Sequence, residues 1–327
     1  MTAKPVALGI VGAGIMGERL AGAALGHAGD VVRLAGIWDP SAEAMARIAA
    51  AFPDLPRLDS AAAVIAACDC LYIASPPSSH LAHARAALAA GKAVFCEKPL
   101  AVDVADARAF VAEAGNRGAV NFPFASSFGV AALRRWIGEG VVGTPRRIAI
   151  EVAFATWPRS WQMDAAGWLD ATAQGGFTRE VVSHFLFLSR RLGGPLAGLK
   201  ATAEYPEAGR SERRIAASLT AGALPVTLAG SVGTTEKDDH NIWMIEGDAG
   251  AVRLRDWSIA ERRMADGSWQ PDPEALPNEK MRPLVLRRQL EGVAALVRGE
   301  PHHLATLAEA LEVQEVVEAI LKSAGQG

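Results

Sequence analysis

The sequence predicts an α/β protein in which a doubly wound parallel sheet precedes an α+β half with an open, largely antiparallel sheet. Up to residue 122, short apolar runs alternate with alanine-rich helical stretches, as they do in parallel strands joined by crossover helices. Beyond residue 122, apolar residues alternate with small or charged ones, which is typical of strands with two unlike faces. The 327 residues are therefore divided into predicted domains 1–122 and 123–327.

The elements of the first half follow from this alternation. Its predicted strands are residues 6–11, 31–38, 70–74, 93–96 and 119–122. Its helices are predicted to begin near Ile15, Ser41, Ser60, Ser79 and Asp103. Ser and Asp favour such positions because their side-chain oxygens accept hydrogen bonds from the free N–H groups of a helix's first turn.

The second half has a different period. Residues 148–154 alternate between apolar and small or charged side chains, and similar runs predict strands at 199–205, 214–220, 224–232, 241–246 and 251–255. The tail at 284–323 returns to helix, because Leu304, Leu307 and Leu311 are spaced for one buried face.

The composition excludes several classes of partner. A formal net charge of -3 argues against nucleic acid, which usually requires a basic surface. No apolar run reaches the ~18 residues needed to span a bilayer, so no membrane partner is expected. The three cysteines fit neither a zinc site nor a disulfide framework, and we therefore predict no metal and a cytoplasmic location.

A glycine-rich turn follows the first predicted strand. In the run Gly12-Ala-Gly-Ile-Met-Gly17 the glycines permit a tight turn, and the helix that follows would present its N-terminus to a pyrophosphate. The alternative is an ordinary strand-to-helix turn. The residues predicted to contact a dinucleotide here are Gly12, Gly14, Ile15, Met16 and Gly17.

The second predicted strand ends in a carboxylate that bears on the choice of cofactor. Asp39 lies 22 residues after Gly17, where it can accept hydrogen bonds from an adenosine ribose. Because a carboxylate there repels a 2′-phosphate, NAD is favoured. NADP stays open, since Arg33 and Arg47 could fold back towards the site.

Two further turns leave predicted strands at the carboxyl edge, where parallel sheets bind ligands. Ser75, Pro76 and His80 are predicted to border the dinucleotide, although His80 could instead cap or line its helix. Glu97 and Lys98 follow the strand at 93–96, and Lys98 could donate a hydrogen bond to a substrate oxygen. The alternative is a solvated lysine paired with Glu97.

The second half contributes another polar pair. The helix predicted over 178–192 places Glu180 and His184 four residues apart on one face. A carboxylate that orients an imidazole suits proton abstraction from a hydroxyl, because the imidazole ordinarily titrates near neutral pH. The alternative is a surface ion pair.

Aromatic and cationic residues precede this helix. Trp157, Trp161 and Trp168 could stack on a sugar ring, and Arg159 could hold a carboxylate or phosphate. The alternative is packing in the core or at a dimer interface. The residues taken as substrate-binding candidates are Asn121, Arg159, Trp161 and Arg179.

These motifs together resemble the glucose-fructose oxidoreductase and inositol dehydrogenase family, Gfo/Idh/MocA. The resemblance rests on the glycine motif and on the segments Ser75-Pro-Pro-x-x-His80, Glu97-Lys-Pro99, Gly175-Gly176 leading to His184, Ile245-Glu-Gly-Asp-Ala-Gly250 and the closing helix at 315–323. It implies a Rossmann domain, then an α+β domain whose open sheet forms a homodimer or homotetramer. It also implies hydride transfer between NAD(P) and a sugar or polyol.

The resemblance further assigns roles to single residues. It implies that Lys98 contacts substrate and nicotinamide, that Glu180 and His184 complete the catalytic group, and that the Lys98–Pro99 peptide bond is cis.

Four positions near the catalytic group depart from the family pattern. Glu180 stands where Asp is common, Val182 where Gly is common and Phe187 where a second Asp is common, and Arg179 is unusual. These departures leave the choice of substrate open, because the polar groups of a pocket decide which hydroxyls it accepts.

The sequence thus predicts an NAD-dependent dehydrogenase or reductase that acts on a carbinol or carbonyl of a small molecule. Lys98 would polarise the reacting oxygen, and His184, oriented by Glu180, would exchange the proton. Two alternatives stay open: a glycosidase that retains NAD and uses transient oxidation, and a non-catalytic sensor of dinucleotides or sugars.

Overall fold

The structure is a computed structural model that describes residues 4–323. Within this range the strands are β1 Val6–Val11, β2 Val32–Trp38, β3 Cys70–Ile73, β4 Ala93–Cys96, β5 Gly118–Val120, β6 Pro145–Phe154, β7 Leu196–Glu204, β8 Arg214–Ala221, β9 Leu224–Val232, β10 His240–Gly247, β11 Ala251–Arg255, β12 Ile259–Arg263, β13 Trp269–Pro271 and β14 Ala305–Thr306. The helices are α1 Ile15–His27, α2 Ala42–Ala51, α3 Ala61–Ala67, α4 Pro77–Ala89, α5 Val104–Glu113, α6 Phe128–Gly138, α7 Ala166–Leu169, α8 Ser183–Gly193, α9 Asn278–Arg298 and α10 Leu307–Lys322.

The chain forms two compact units, and the first is discontinuous in sequence. It comprises the residues up to Ser126 together with Arg282–Leu311. The sequence pattern instead predicts one domain over all of residues 123–327. The difference has a physical cause, because Leu290 and Val293 of α9 belong to the same buried cluster as Leu8 of β1.

The first unit is built on a six-stranded sheet in the order β14-β5-β4-β3-β1-β2. Strands β1 to β5 are parallel, and the two-residue β14 pairs antiparallel with β5. Strand β1 lies between β2 and β3. The chain first adds β2 on one side of β1 and then adds β3 on the other side, which makes the carboxyl end of β1 a topological switch point. The predicted doubly wound sheet is confirmed.

Capping residues start the helices of this unit close to the predicted positions. The side chains of Ser41, Ser60 and Asp103 accept hydrogen bonds from backbone N–H groups in the first turns of α2, α3 and α5. Helix α4 begins two residues before the predicted Ser79, because Pro77 occupies its first turn.

The second unit comprises Ser127–Met281 and the residues from Glu312 onward. Its eight-stranded sheet has the order β13-β12-β11-β10-β6-β9-β8-β7, and all neighbours are antiparallel except β6 and β9. Apolar residues such as Ile150, Leu228 and Trp243 are buried on one face. The other face carries charged residues such as Arg147 and Arg253, together with a patch of small side chains formed by Ala149, Ala216, Ser218, Thr227 and Ala229.

Two further observations concern predictions made from composition. Cys68, Cys70 and Cys96 are all buried free thiols. In the part of the chain that the structure describes, each helix is too short or too polar to cross a membrane.

Candidate functional site

The three glycines of the loop after β1 differ in the space that a side chain would find at each position. Gly12 has a φ of +103°, and a Cβ there would lie 2.4 Å from the Ser75 nitrogen. A Cβ on Gly17 would lie 2.0 Å from the Gly12 carbonyl oxygen. A Cβ on Gly14, by contrast, meets no atom of the described residues within 4 Å. Gly12 and Gly17 are therefore required by the fold, whereas Gly14 leaves open space.

That open space lies in front of the N-terminus of α1. Gly14 is the N-cap residue, and no side chain caps the helix through a hydrogen bond. The next residue, Ile15, is exposed, and Met16 is half-buried. Free N–H groups at the positive end of a helix attract phosphate, and a glycine lets a ligand approach the backbone. The loop thus fits the pyrophosphate of a dinucleotide.

Asp39 fixes the loop from the end of β2. Its Oδ2 accepts a hydrogen bond from the Ala13 N–H at 2.8 Å, and its Oδ1 accepts one from the Ser41 N–H at 2.8 Å. The half-buried carboxylate therefore stands beside the glycine loop, in the position where the sequence predicted a ribose contact.

His80 lies inside the protein between two turns, which differs from the predicted position against the dinucleotide. The residue is 1% exposed. Its Nε2 lies 2.7 Å from the Ser75 carbonyl oxygen, and its Nδ1 lies 2.8 Å from the Pro99 carbonyl oxygen. Burial lowers the pKa of His80, while the two carbonyl acceptors oppose that shift. The ring therefore ties the turn after β3 to the turn that carries Lys98.

Glu97 enters a buried hydrogen-bond network beneath that turn. Its Oε1 accepts hydrogen bonds from the Tyr72 hydroxyl at 2.5 Å and from Asn121 Nδ2 at 2.6 Å. Gln289 of α9 donates to Asn121 Oδ1 at 2.5 Å. Burial and the Glu97 carboxylate raise the pKa of Tyr72 well above its usual range.

The network changes the interpretation of Asn121, which the sequence placed among the substrate candidates. Its side chain is 1% exposed and both of its amide atoms are hydrogen bonded, so the structure gives it a supporting position. Tyr72 and Gln289 were missed. A tyrosine inside a fully apolar strand requires a polar partner and was the one available signal.

Lys98 follows β4 directly and is half-buried. The Lys98–Pro99 peptide bond is cis, as the family resemblance implied. Strand β4 pairs with β3, which pairs with β1, and all three run parallel. Lys98 thus leaves the sheet at the same edge as the glycine loop and the Ser75 turn.

In the second unit, the predicted helix over 178–192 begins with a π-helical turn. This turn spans Thr178–Val182, and the Ser183 N–H donates to the Thr178 carbonyl five residues back. Helix α8 follows at once. Single π turns inside helices occur frequently at functional sites. Glu180 lies half-buried in the π turn, and His184 lies in the first turn of α8 with 8% exposure.

Glu212 holds the start of this helix. Its Oε1 accepts hydrogen bonds from the Thr178 N–H at 2.7 Å and from Thr178 Oγ1 at 2.6 Å. Gly176 has a φ of +104°, and a Cβ there would lie 2.3 Å from Glu212 Oε2. Burial raises the pKa of Glu212, and the bonds from Thr178 offset part of that shift. This carboxylate was not found from the sequence, because 34 residues separate it from Thr178.

The two arginines proposed as substrate contacts have partners within the unit. Arg179 donates to both carboxylate oxygens of Glu318, at 2.6 and 2.9 Å, and also to the carbonyl of Gly175 at 2.8 Å. Arg159 is 6% exposed and forms an ion pair with Asp239 at 3.0 Å. The structure therefore gives both guanidinium groups positions that stabilise the unit.

The tryptophans of the preceding loop behave differently from Arg159. Trp157 is buried, and its indole nitrogen donates to the Leu169 carbonyl at 3.1 Å. Trp161 is 45% exposed, although the Arg159 guanidinium lies 4.7 Å from its ring centroid, and Trp168 is 46% exposed. Trp161 therefore keeps a surface that a ligand could contact.

Two of the four departures from the family pattern lie in the core. Val182 is fully buried, and Phe187 is 1% exposed. The Arg191 guanidinium lies over the Phe187 ring at 4.9 Å. Both apolar residues therefore contribute to packing in this unit.

A protein-family model matches the N-terminal part of the first unit. Residues 6–123 match the oxidoreductase family GFO_IDH_MocA, described as having an NAD-binding Rossmann fold. This stretch is thus similar to the NAD-binding domain of the Gfo/Idh/MocA family. The NAD-binding assignment agrees with the geometry of the Gly14 loop and with Asp39.

Solved structures with the same architecture cover almost the whole chain. A myo-inositol dehydrogenase from Corynebacterium glutamicum is 19% identical with a TM-score of 0.76, over 98% of this chain and 96% of that one. An oxidoreductase from Agrobacterium radiobacter, in complex with NAD+, L-tartaric acid and magnesium, is 20% identical with a TM-score of 0.82, over 98% and 97%.

A third similar structure comes from Acidithiobacillus ferrooxidans. This UDP-N-acetylglucosamine 3-dehydrogenase is 19% identical with a TM-score of 0.78, over 98% of each chain. At these identities the likeness shows the fold. A comparison with curated protein sequences finds no match to this chain.

Proposed function

We propose that this protein transfers a hydride between NAD and a carbinol or carbonyl group of a sugar, polyol or related small molecule. The observation that carries the proposal is the position of Lys98, which follows β4 at the sheet edge of the glycine loop. His80 bonds the turn of Lys98 to the turn after β3. Similarity to an inositol dehydrogenase and a nucleotide-sugar dehydrogenase supports a hydroxylated substrate.

Each proposed catalytic residue has one role. In oxidation the Lys98 ammonium donates a hydrogen bond to the reacting oxygen and stabilises the negative charge that develops there. His184 accepts the hydroxyl proton, and Glu180 orients the imidazole. NAD, held by the glycine loop and Asp39, would accept the hydride from the carbon. In reduction the proton returns from His184 to the oxygen.

We also propose that NAD is preferred to NADP. The Asp39 carboxylate is held beside the glycine loop by two backbone amides, and it would repel a 2′-phosphate. Arg47, one of the cations that could have offset this repulsion, forms an ion pair with Glu43 at 3.3 Å.

The test begins with a screen of sugars, polyols and their acids with NAD and NADP, followed at the nicotinamide absorbance. Lys98→Met and His184→Ala are then expected to lower turnover at least ~100-fold, the usual size of a lost acid–base or electrostatic contribution. NAD affinity should survive in both. Matched controls are Lys280→Met, at an exposed lysine of α9, and His83→Ala, at a half-buried histidine of α4. Unchanged turnover in both site variants would reject the roles.

The same screen separates the alternatives. Release of an aryl leaving group from a glycoside without net NADH, by protein that retains NAD through purification, would favour the glycosidase. NAD binding without turnover of any compound would favour the sensor. Net NADH formation from a polyol or sugar supports the dehydrogenase.

A further inference from the structure

One turn of the second unit has a backbone conformation that its residues disfavour. Asp256 and Trp257 connect β11 to β12 with φ values of +46° and +72°. Among residues 4–323 they are the only non-glycine residues with positive φ. Turns with two such residues are usually built from Asp-Gly or Asn-Gly, and a bulky residue in this region is an outlier. A glycine in place of Trp257 would relieve the strain.

The surrounding chain holds this turn on both sides. The Asp256 N–H donates to the Asn241 carbonyl at 3.0 Å. Ser258 Oγ donates to the Leu276 carbonyl at 2.8 Å. Helix α6 packs closely here, since a Cβ on Gly129 would lie 2.6 Å from the Ser258 carbonyl oxygen. Strained residues persist when their surroundings fix them in this way, and they cluster at functional sites.

The strained turn places an indole against the imidazole of His184. The two ring centroids are 5.5 Å apart and the planes meet at 75°, an edge-to-face contact. The indole also lies 5.4 Å from the Phe185 ring. Because Trp257 is half-buried and His184 is 8% exposed, the indole covers part of the imidazole and restricts its rotation.

We propose that Trp257 is a positioning residue for His184, in which backbone strain is retained because the indole keeps the imidazole in one orientation for proton transfer. The inference rests on the proposed function. It explains why a local rule of turn chemistry is broken at this position.

The decisive variant is Trp257→Gly, which relieves the backbone and removes the ring together. We expect only a small change in thermal stability, because the relieved backbone strain offsets the lost contacts of the half-buried ring. Turnover should be reduced at least about tenfold, since small misplacements of a catalytic group have effects of this size. A residue with a purely structural role would lose stability and turnover together. NAD affinity should not change.

Two more variants at the same position isolate the ring. Trp257→Phe keeps an aromatic ring and should retain most of the turnover, whereas Trp257→Leu keeps apolar bulk alone and should lose it. The matched control is Trp269→Leu, which removes an indole stacked on Arg253 at 4.1 Å in the same sheet. Turnover is read with the sugar, polyol or sugar acid that gives the highest rate in the screen.

Nuclear magnetic resonance of ring-labelled histidine gives a readout that needs no substrate. The His184 signal, identified by its loss in His184→Gln, should shift in Trp257→Gly and stay in place in Trp269→Leu. Turnover equal to that of the unmodified protein in Trp257→Gly and Trp257→Leu would overturn the inference alone. Full turnover in His184→Gln would overturn the proposed function. Should Trp257→Gly not fold, equal rates for Phe and Leu would still reject the inference.

Discussion

The glycine loop offers a substitution that separates ligand binding from folding. The change is Gly14→Ala, compared with Gly12→Ala two residues earlier. Gly14 has φ -79° and ψ -169°, a conformation that alanine adopts freely, and its added Cβ meets no atom of the described residues within 4 Å. Gly12 has a φ of +103°, and its added Cβ would lie 2.4 Å from Ser75 N and from Ala74 C.

These geometries set the expected sizes. At Gly14 the lower entropy of the unfolded chain stabilises by about 0.4–1 kcal/mol. Loss of a favourable N-cap residue costs a similar amount, so the free energy of unfolding should change by less than about 1 kcal/mol. At Gly12 the left-handed backbone alone costs roughly 1–2 kcal/mol. Displacement of the Ala74–Ser75 backbone adds to that cost.

At Gly14 the effect on NAD affinity should be separate from the effect on stability. The new methyl group of Gly14→Ala occupies the space in which a pyrophosphate would approach the backbone. We expect its Kd for NAD to rise at least tenfold, which corresponds to about 1.4 kcal/mol, in a protein that unfolds at nearly the same temperature. Gly12→Ala should lose both stability and binding.

Thermal unfolding without NAD and calorimetric titration with NAD measure the two quantities on the same samples. Wild-type NAD affinity in a stable Gly14→Ala would refute the assignment of this space to the cofactor. A loss of stability as large as that of Gly12→Ala would refute the steric argument.

Three more outcomes follow from single residues. Asp39→Ala should lower the preference for NAD over NADP at least tenfold. This factor corresponds to the loss of about 1.4 kcal/mol of repulsion between the carboxylate and the 2′-phosphate. An unchanged ratio of the two Kd values would count against Asp39 as the discriminating residue. Burial raises the pKa of Asp170, but hydrogen bonds from Arg213 and Ser211 bring that pKa below its ordinary value. Its stabilisation should therefore be present at pH 7 and be lost as the pH falls below about 4. Asp170→Asn should cost roughly 1.5–3 kcal/mol in denaturant unfolding at pH 7 and progressively less as the pH falls below about 4, and a cost independent of pH would contradict this. We propose that the sheet face carrying Ala149 and Thr227 joins copies of the chain into a dimer or tetramer. Thr227→Arg should therefore reduce the particle mass measured by light scattering. The control Ala90→Arg, at the exposed end of α4, should leave that mass unchanged. Equal masses for both variants would exclude this face.

Local chemistry made much of the first unit predictable. The glycine loop, the Asp39 strand end and the helix starts at Ser41 and Ser60 are each specified by residues close in sequence, and the structure places them as expected. Strand β14 has two residues and β13 has three, too few to give a period, and neither was predicted. The π turn at Thr178 has no local signal either.

The supporting contacts were not predictable because they join distant residues. His80 contacts Pro99, Thr178 contacts Glu212, and His184 contacts Trp257, because the fold brings these distant residues together. From the sequence, Arg159 and Arg179 looked like ligands for an anionic substrate, since a cation in a polar loop has the same appearance whether it binds substrate or a carboxylate of its own chain. Their partners, Asp239 and Glu318, decide between those interpretations.

The discontinuity of the first unit bears on how Lys98 is held. Helix α9 follows the strands of the second sheet in the sequence, and its residues from Arg282 onward belong to the first unit. There Gln289 donates a hydrogen bond to Asn121. Asn121 in turn donates to the Glu97 carboxylate, the neighbour of Lys98. Through these hydrogen bonds the turn that carries Lys98 depends on a helix almost 200 residues away in sequence. This dependence explains why a strand can end in two charges and a proline without disorder. The Glu97 carboxylate is held by buried hydrogen bonds, and Lys98 therefore stays at the edge of the sheet where the glycine loop lies.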